Sequence, residues 1–303
     1  MSQRILITGV TGFVGAPLAA RLHETGHTLV GLSRNAVKAR AKVPSLECAH
    51  DWDGARGGVS DDALDGVDAV IHLAGEPVAG RWTPEKRHKI ESSRVEGTRR
   101  IVDAIERADP RPRTLICASA IGYYGDRGEE TLTESSEPGD DFLARVCKGW
   151  EAEARRAGAL GVRVVRLRIG LVMGDGGGAL DAMLPLFKAG LGGRLGDGQQ
   201  WWPWIHRDDV VGLVVHALET QTMQGVYNAV APEPVRQGEF AKTLAEVLHR
   251  PAVVPAPAFA IKTVLGGFAD ELLASRRVVP ERTLESGFAY RHTSLEEALR
   301  EAT

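Results

Sequence analysis

Apolar runs and helical stretches alternate through the first half of the chain. "RILITGV" (4–10), "TLVGLS" (28–33), "AVIHLAG" (69–75) and "TLICASA" (114–120) are rich in Val, Ile and Leu without polar alternation. That composition predicts strands buried on both faces. Between them, 14–26 and 86–108 have helical periodicity. In "FLARVCKGWE" (142–151), Phe142, Leu143, Val146, Cys147 and Trp150 share one helical face, with Arg145, Lys148 and Glu151 on the other. A further strand is predicted within "VRVVRLRIGLVMG" (162–174). This alternation implies an α/β architecture, a doubly wound parallel sheet with helices on both faces.

Beyond residue 174 the pattern loosens. "GGRLGDGQQWWPW" (192–204) is rich in Gly and Trp, "GVYNAVA" (225–231) reads as one returning strand, and "PAVVPAPAF" (251–259) as a proline-spaced connector. The expected organisation is a main domain over 1–232, with 175–204 contributing to a substrate cleft. Residues 233–303 are expected to form a small, mainly helical C-terminal lobe over the strands' carboxyl ends.

Composition narrows the function classes. The 303 residues are 43% hydrophobic and 25% charged, the values of an ordinary soluble domain. A formal charge of −3 gives no reason to expect nucleic acid as partner. No apolar run approaches the roughly 18 residues of a membrane span. The chain enters its first strand at once, so no cleavable signal peptide is expected and a cytoplasmic location fits. Cys48, Cys117 and Cys147 lack metal-ligand spacing, and neither a metal site nor a disulfide framework is expected.

The chemistry begins at "ITGVTGFVG" (7–15), a glycine triplet at a strand-to-helix turn. Gly9 permits the tight turn, Gly12 lets the backbone approach a pyrophosphate, and Gly15 lets the helix pack on the strand. Thr11, Phe13 and Val14 complete the turn, whose helix start offers free N–H groups to phosphates. This is the context of an NAD(P)-binding Rossmann fold. The second strand ends in Ser33 and Arg34, where an NAD site usually has a carboxylate. A guanidinium and a hydroxyl suit a 2′-phosphate, so NADP(H) is the expected cofactor; the alternative for Arg34 is a solvated surface residue. Leu73, Ala74, Gly75 and Glu76 end a further strand and suit a loop against the cofactor. Arg94 either reaches a cofactor phosphate or forms a surface ion pair. Asp51 or Asp53 lies beside the adenine, or in an ordinary polar loop.

Together with "ASAIGYYG" (118–125), "LRIGLVMG" (167–174) and "WIHRDDVV" (204–211), these blocks resemble the extended short-chain dehydrogenase/reductase superfamily. "LAGEPVAGRW", "IESSR", "GWEAEA" and "WWPWIHRDDV" are similar, more narrowly, to the SDR39U-type epimerase family of atypical members. The resemblance covers essentially the whole chain. It implies NADP(H) bound through Ser33 and Arg34, through Leu73–Glu76 and through Arg94, with Leu171 as a further cofactor contact. It implies no particular substrate.

One departure matters. The superfamily's catalytic pattern is Y-x-x-x-K-x-x-x-E. Aligning its Glu with Glu151 puts Leu143 in place of Tyr and Cys147 in place of Lys. No tyrosine of this chain is followed four residues later by lysine. Cys147 on the apolar face reads as a small core residue. Ser119, at the end of the fourth predicted strand, matches the superfamily's catalytic Ser/Thr position. Tyr123 and Tyr124 follow on a loop, where Tyr123 either faces the nicotinamide or packs. Lys148 and Arg168 are its potential cationic neighbours. Ser119 and Tyr123 are therefore the expected catalytic pair. Trp201 and Trp202 either wall a small-molecule substrate or pack between lobes, and Trp204 is expected to pack. Asp208 or Asp209 is expected to cap the following helix, and "GDGGGAL" (174–180) to be a flexible loop or lid. The expected activity is that of an NADP(H)-dependent oxidoreductase on an unidentified small molecule. The alternative is a catalytically silent NADP(H)-binding sensor. Apolar stripes on 86–108 and 142–151 suit a homodimer, and equally an ordinary core-facing helix.

Overall fold

Seven parallel strands form the central sheet of the protein, seen in a computed structural model that describes residues 2–252 and 254–303. They are β1 (Arg4–Thr8), β2 (Thr28–Ser33), β3 (Leu46–Asp51), β4 (Ala69–His72), β5 (Thr114–Ala120), β6 (Arg163–Ile169) and β7 (Gly225–Ala229). Their spatial order is 3-2-1-4-5-6-7, so the chain reverses direction of winding between β1 and β4. Ligands of doubly wound sheets bind at the carboxyl end of that switch point.

Side chains alternate across the sheet. Ile5, Ile7, Ile71, Ile116, Val165 and Leu167 join a core covered by α1 (Gly15–Glu24) and α6 (Arg207–Glu219). Leu6, Val70, Leu115, Cys117 and Val164 join a second core, on the face of α3 (Pro84–Arg107) and α4 (Phe142–Arg156). Each fully buried Leu, Ile or Val contributes about 1.5–3 kcal/mol. Asp141 caps α4 by accepting from the Ala144 N–H at 2.8 Å; Leu143, Val146, Cys147 and Trp150 of the predicted apolar face are buried, Phe142 is half-buried, and Glu151, expected on the polar face, is buried with them.

Two elements depart from the sequence expectation. β3 and α2 (Ala36–Lys42) carry no apolar run: β3 is an edge strand with one buried residue, and α2 buries Ala39 alone. Ser119 consequently lies on the fifth strand, not the fourth. The lobe expected over 233–303 also takes in residues before that boundary. A third core unites Met173, Leu180, Phe187, Trp202 and Trp204 with Phe240 and Leu244 of α7 (Gln237–Val247) and Leu299 of α8 (Leu295–Ala302). Residues between these return to the main sheet: Thr283 Oγ1 donates to the Asn228 carbonyl at 2.8 Å, and the His292 N–H to Asp209 at 3.0 Å. The lobe is built from both halves of the proposed division because its apolar positions complete one another only across it.

Candidate functional site

The glycine turn has the geometry of a phosphate cradle. Gly9 has φ +68°, and a Cβ there would lie 3.0 Å from the Ala74 nitrogen. A Cβ on Gly15 would sit 2.2 Å from the Gly9 carbonyl oxygen, so neither position tolerates a side chain. The Gly12 N–H donates to that same carbonyl at 2.9 Å. Lys42, on the unanticipated α2, donates to the Thr11 carbonyl at 2.8 Å and ties the turn to the β2 side. Val14 precedes α1 and packs on the first core. The "GDGGG" segment lies against Phe13: Cβ atoms on Gly177 or Gly178 would come within 2.6–2.7 Å of its ring. This segment, expected to be a lid, is seated on the cradle and leads into α5 (Gly178–Lys188).

A chain of polar groups backs the cradle. Thr8 Oγ1 accepts from the Leu73 and Ala74 N–H groups at 3.1 and 3.0 Å, fixing the loop after β4. It also meets His72 Nδ1 at 2.7 Å, and His72 Nε2 meets Thr98 Oγ1 at 3.0 Å. Burial pushes the His72 pKa down to about 4, so the ring is neutral at physiological pH. Among the described residues Arg94 does not form the surface ion pair that is one of its two expected roles. Its guanidinium donates to the Glu76 carbonyl at 2.9 Å and the Ile90 carbonyl at 3.2 Å, beside Gly75 and over the Trp150 ring. It is a positioning residue for the Gly75–Glu76 loop. Desolvation lowers its pKa, and among the described residues it has no ion-pair partner, which leaves a positive charge beside the switch point. The Glu76 carboxylate is occupied by Lys86 at 2.7 Å.

At the end of β2, Ser33 is half-buried and Arg34 exposed. Asp51, paired in register with Ser33, accepts from the Ala36 N–H at 2.7 Å, and Asp53 accepts from the Ala55 N–H at 3.0 Å. Both acids therefore have local turn roles. The residues present fit a dinucleotide: a cradle that a Cβ would fill, and a cationic side chain at the second strand's end.

The reacting end is different in kind. Leu143 and Cys147 are both buried, and a Cβ on Gly122 would lie 3.1 Å from Leu143 Cβ and 3.9 Å from Cys147 Sγ. Burial pushes the Cys147 thiol up to about 12, so it stays protonated. Ser119 is buried and its hydroxyl donates to Glu151 Oε1 at 2.8 Å. Glu151 also receives Arg168 Nε at 2.7 Å and Nη2 at 3.0 Å, a two-pronged buried pair. The Ser119 hydroxyl, expected to act at the reacting end, thus has its proton engaged by Glu151 in this structure. Tyr123 has the Arg168 guanidinium carbon 3.3 Å from its ring centroid. It shares a groove there with Lys148. Tyr124 is fully buried and donates to Asn228 Oδ1 at 2.6 Å. Ser119 and Tyr123 both meet the Glu151–Arg168 pair, Ser119 through the carboxylate and Tyr123 through the guanidinium.

In the lobe, Trp202 and Trp204 are core residues, and Trp201 lies between Arg236 and Arg277 while donating to Glu129 at 3.0 Å. Leu171 is half-buried in a short strand paired with Trp204. His206, rather than either aspartate, caps α6: its Nδ1 accepts from the Asp208 N–H at 3.2 Å. Asp209 is buried and accepts from the Arg291 and His292 N–H groups. No helix among the described residues is long and apolar enough to cross a membrane.

Comparison with known proteins accords with this geometry. Residues 5–229 match the NAD dependent epimerase/dehydratase family, and residues 256–302 match a domain of unknown function, DUF1731. The chain is 41% identical over 301 residues to the Arabidopsis thaliana epimerase family protein SDR39U1 homolog, chloroplastic, covering 98% of this chain and 85% of that one. It is 37% identical to Bacillus subtilis epimerase family protein YfhF, over 98% and 97% of the two chains. The crystal structure of human epimerase family protein SDR39U1 with NADPH superposes with a TM-score of 0.87, at 35% identity and 98% coverage of each chain. Glycine cradle, sheet order and sequence agree, and the chain belongs to the NAD dependent epimerase/dehydratase family.

Proposed function

We propose that this protein binds NADP(H) and passes hydride between it and a small molecule without a proton relay from its own side chains. The observation that carries this reading is the pair Leu143 and Cys147, which take the places of the tyrosine and lysine when Glu151 is aligned with the superfamily's Glu: both are buried, and neither exchanges a proton at neutral pH. NADPH in the human SDR39U1 structure supports the cofactor assignment, as does the exposed Arg34 at the end of β2. Gly9, Gly12 and Gly15 would admit the pyrophosphate, with Thr11, Phe13 and Val14 around it. Ser33 and Arg34 would hold the 2′-phosphate. Leu73–Glu76, backed by Arg94, would lie along the ribose, and Leu171 would border the nicotinamide. When bound, the cofactor supplies or accepts the hydride. The chain's own contribution is orientation, so the acceptors it suits are those that, like quinones, take the hydride first and then their proton from solvent.

A second reading, binding without turnover, is favoured by the commitment of the Ser119 proton to Glu151. One experiment covers both. NADPH and NADH are titrated into wild type and Arg34→Ala, and NADPH-loaded protein is then mixed with carbonyls and quinones while 340 nm absorbance is followed. Arg34→Ala is expected to weaken NADPH about 10-fold or more, the worth of a charge-assisted contact, and NADH little. Equal losses for the two cofactors would refute the assignment of Arg34. Oxidation is expected to show no ionisation that Tyr123→Phe abolishes; such an ionisation would overturn the relay-free reading. Tight NADPH binding with no oxidation would select the second reading.

A further inference from the structure

A groove of about 470 Å³ opens on the side of α4 that faces β6 and β7. Lys148, Arg155, Arg166 and Arg168 line it, with Tyr123 and a single carboxylate, Glu151. None of the glycine-turn residues contributes to it. Its volume falls in the range of roughly 300–1,000 Å³ typical of small-molecule sites.

The charges do not balance. Arg168 consumes both oxygens of Glu151, at 2.7 and 3.0 Å, leaving Arg166 a looser contact at 3.4 Å. Arg166 Nε is buried and has no hydrogen-bond partner among the described residues. Lys148 and Arg155 are exposed and, among the described residues, form neither an ion pair nor a side-chain hydrogen bond. Burial chiefly, and the neighbouring Arg155 and Arg168 cations in addition, push the Arg166 pKa down, against the opposing pull of Glu151. Lys148 and Arg155 stand seven residues apart on α4, about 10 Å along its axis. Gly149 and Ala152 between them leave the groove open. Such an arrangement costs free energy until an anion enters it.

We propose that this groove binds a small organic phosphate, with its anionic group between Lys148, Arg155 and Arg166 and its organic part against Tyr123 and Val226. Clustered guanidinium and ammonium groups match a multiply charged phosphate better than a lone carboxylate. The Tyr123 ring and Val226 supply the apolar wall that inorganic phosphate would leave unused. The site is separate from the dinucleotide cradle and does not depend on it.

Isothermal titration with phenyl phosphate and with inorganic phosphate tests this, at low salt and again at about 0.15 M. The chains compared are wild type, Lys148→Gln/Arg155→Gln and Arg34→Ala, each checked for folding by its melting curve. Lys148 and Arg155 are exposed, so the double variant is expected to fold. Phenyl phosphate is expected to bind wild type more tightly than inorganic phosphate. The double variant is expected to lose about tenfold or more, and Arg34→Ala to bind as wild type does. No binding to wild type, an unchanged double variant, or a loss confined to Arg34→Ala would each overturn the proposal, the last by placing the phosphate in the dinucleotide cleft.

Discussion

The two sides of α4 are chemical opposites. On one side it presents Leu143 and Cys147, packed on Gly122 and unable to move a proton. Toward β6 and β7 it presents Lys148 and Arg155, facing two more arginines. The superfamily pattern concentrates its ionisable groups on the first side. Here the first side is apolar and the second is charged, while Glu151 bonds Ser119 on β5 and Arg168 on β6. The glycine cradle can therefore be retained while the helix beside it carries a different chemistry.

The sharpest way to break this contrast is to cut its link. Glu151→Gln leaves the Arg168 guanidinium, 3% exposed, without its carboxylate. Removing one partner of a buried pair costs about 3–5 kcal/mol. Urea unfolding measures it, and a loss below about 1 kcal/mol would show that the pair is dispensable.

A smaller effect separates the cradle from the groove by pH. Burial holds His72 neutral with a pKa of about 4, against about 6.5 in an unfolded chain. Its contribution is complete above about pH 6.5 and is lost as pH falls toward 4, amounting to about 3 kcal/mol. Stability of wild type and His72→Gln, measured across that window, should converge as the pH drops. Parallel curves would mean that His72 is not the titrating group.

The smallest expected effect is at Cys147. Cys147→Ala should cost about 1 kcal/mol of packing and leave NADPH affinity unchanged. In native protein a thiol reagent should modify half-buried Cys48 before buried Cys117 and Cys147. Rapid labelling of Cys147 would contradict its burial, and loss of NADPH binding in Cys147→Ala would move it into the cofactor site.

Much of this was legible from local pattern. The ranges of β2 and β5 are those of the apolar runs, and the cradle follows from three glycines between a strand and a helix. The phase of α4, which sends Lys148 away from Cys147, was also readable. What faces Lys148 was not, because that depends on the register of β5 against β6 and on a groove closed by Val226 from β7. β3 escaped because an edge strand needs no apolar run. The anchoring of Arg94 on the Glu76 carbonyl, and of Lys42 on Thr11, escaped because each joins residues distant in sequence through a backbone carbonyl that any residue supplies.

The return of residues 279–292 to the main sheet has a consequence for synthesis. Arg282 donates to the Val226 carbonyl at 2.7 Å, the Asn228 amide to the Val279 carbonyl at 2.9 Å, and the Arg291 N–H to Asp209 at 2.7 Å. A nascent chain emerges amino terminus first, so the nucleotide-binding half reaches the ribosome exit long before these partners do. Until they arrive, β7 is a bare sheet edge and Asp209 a carboxylate without its clasp. The dinucleotide half therefore gains these three contacts only after residues 279–292 have been made.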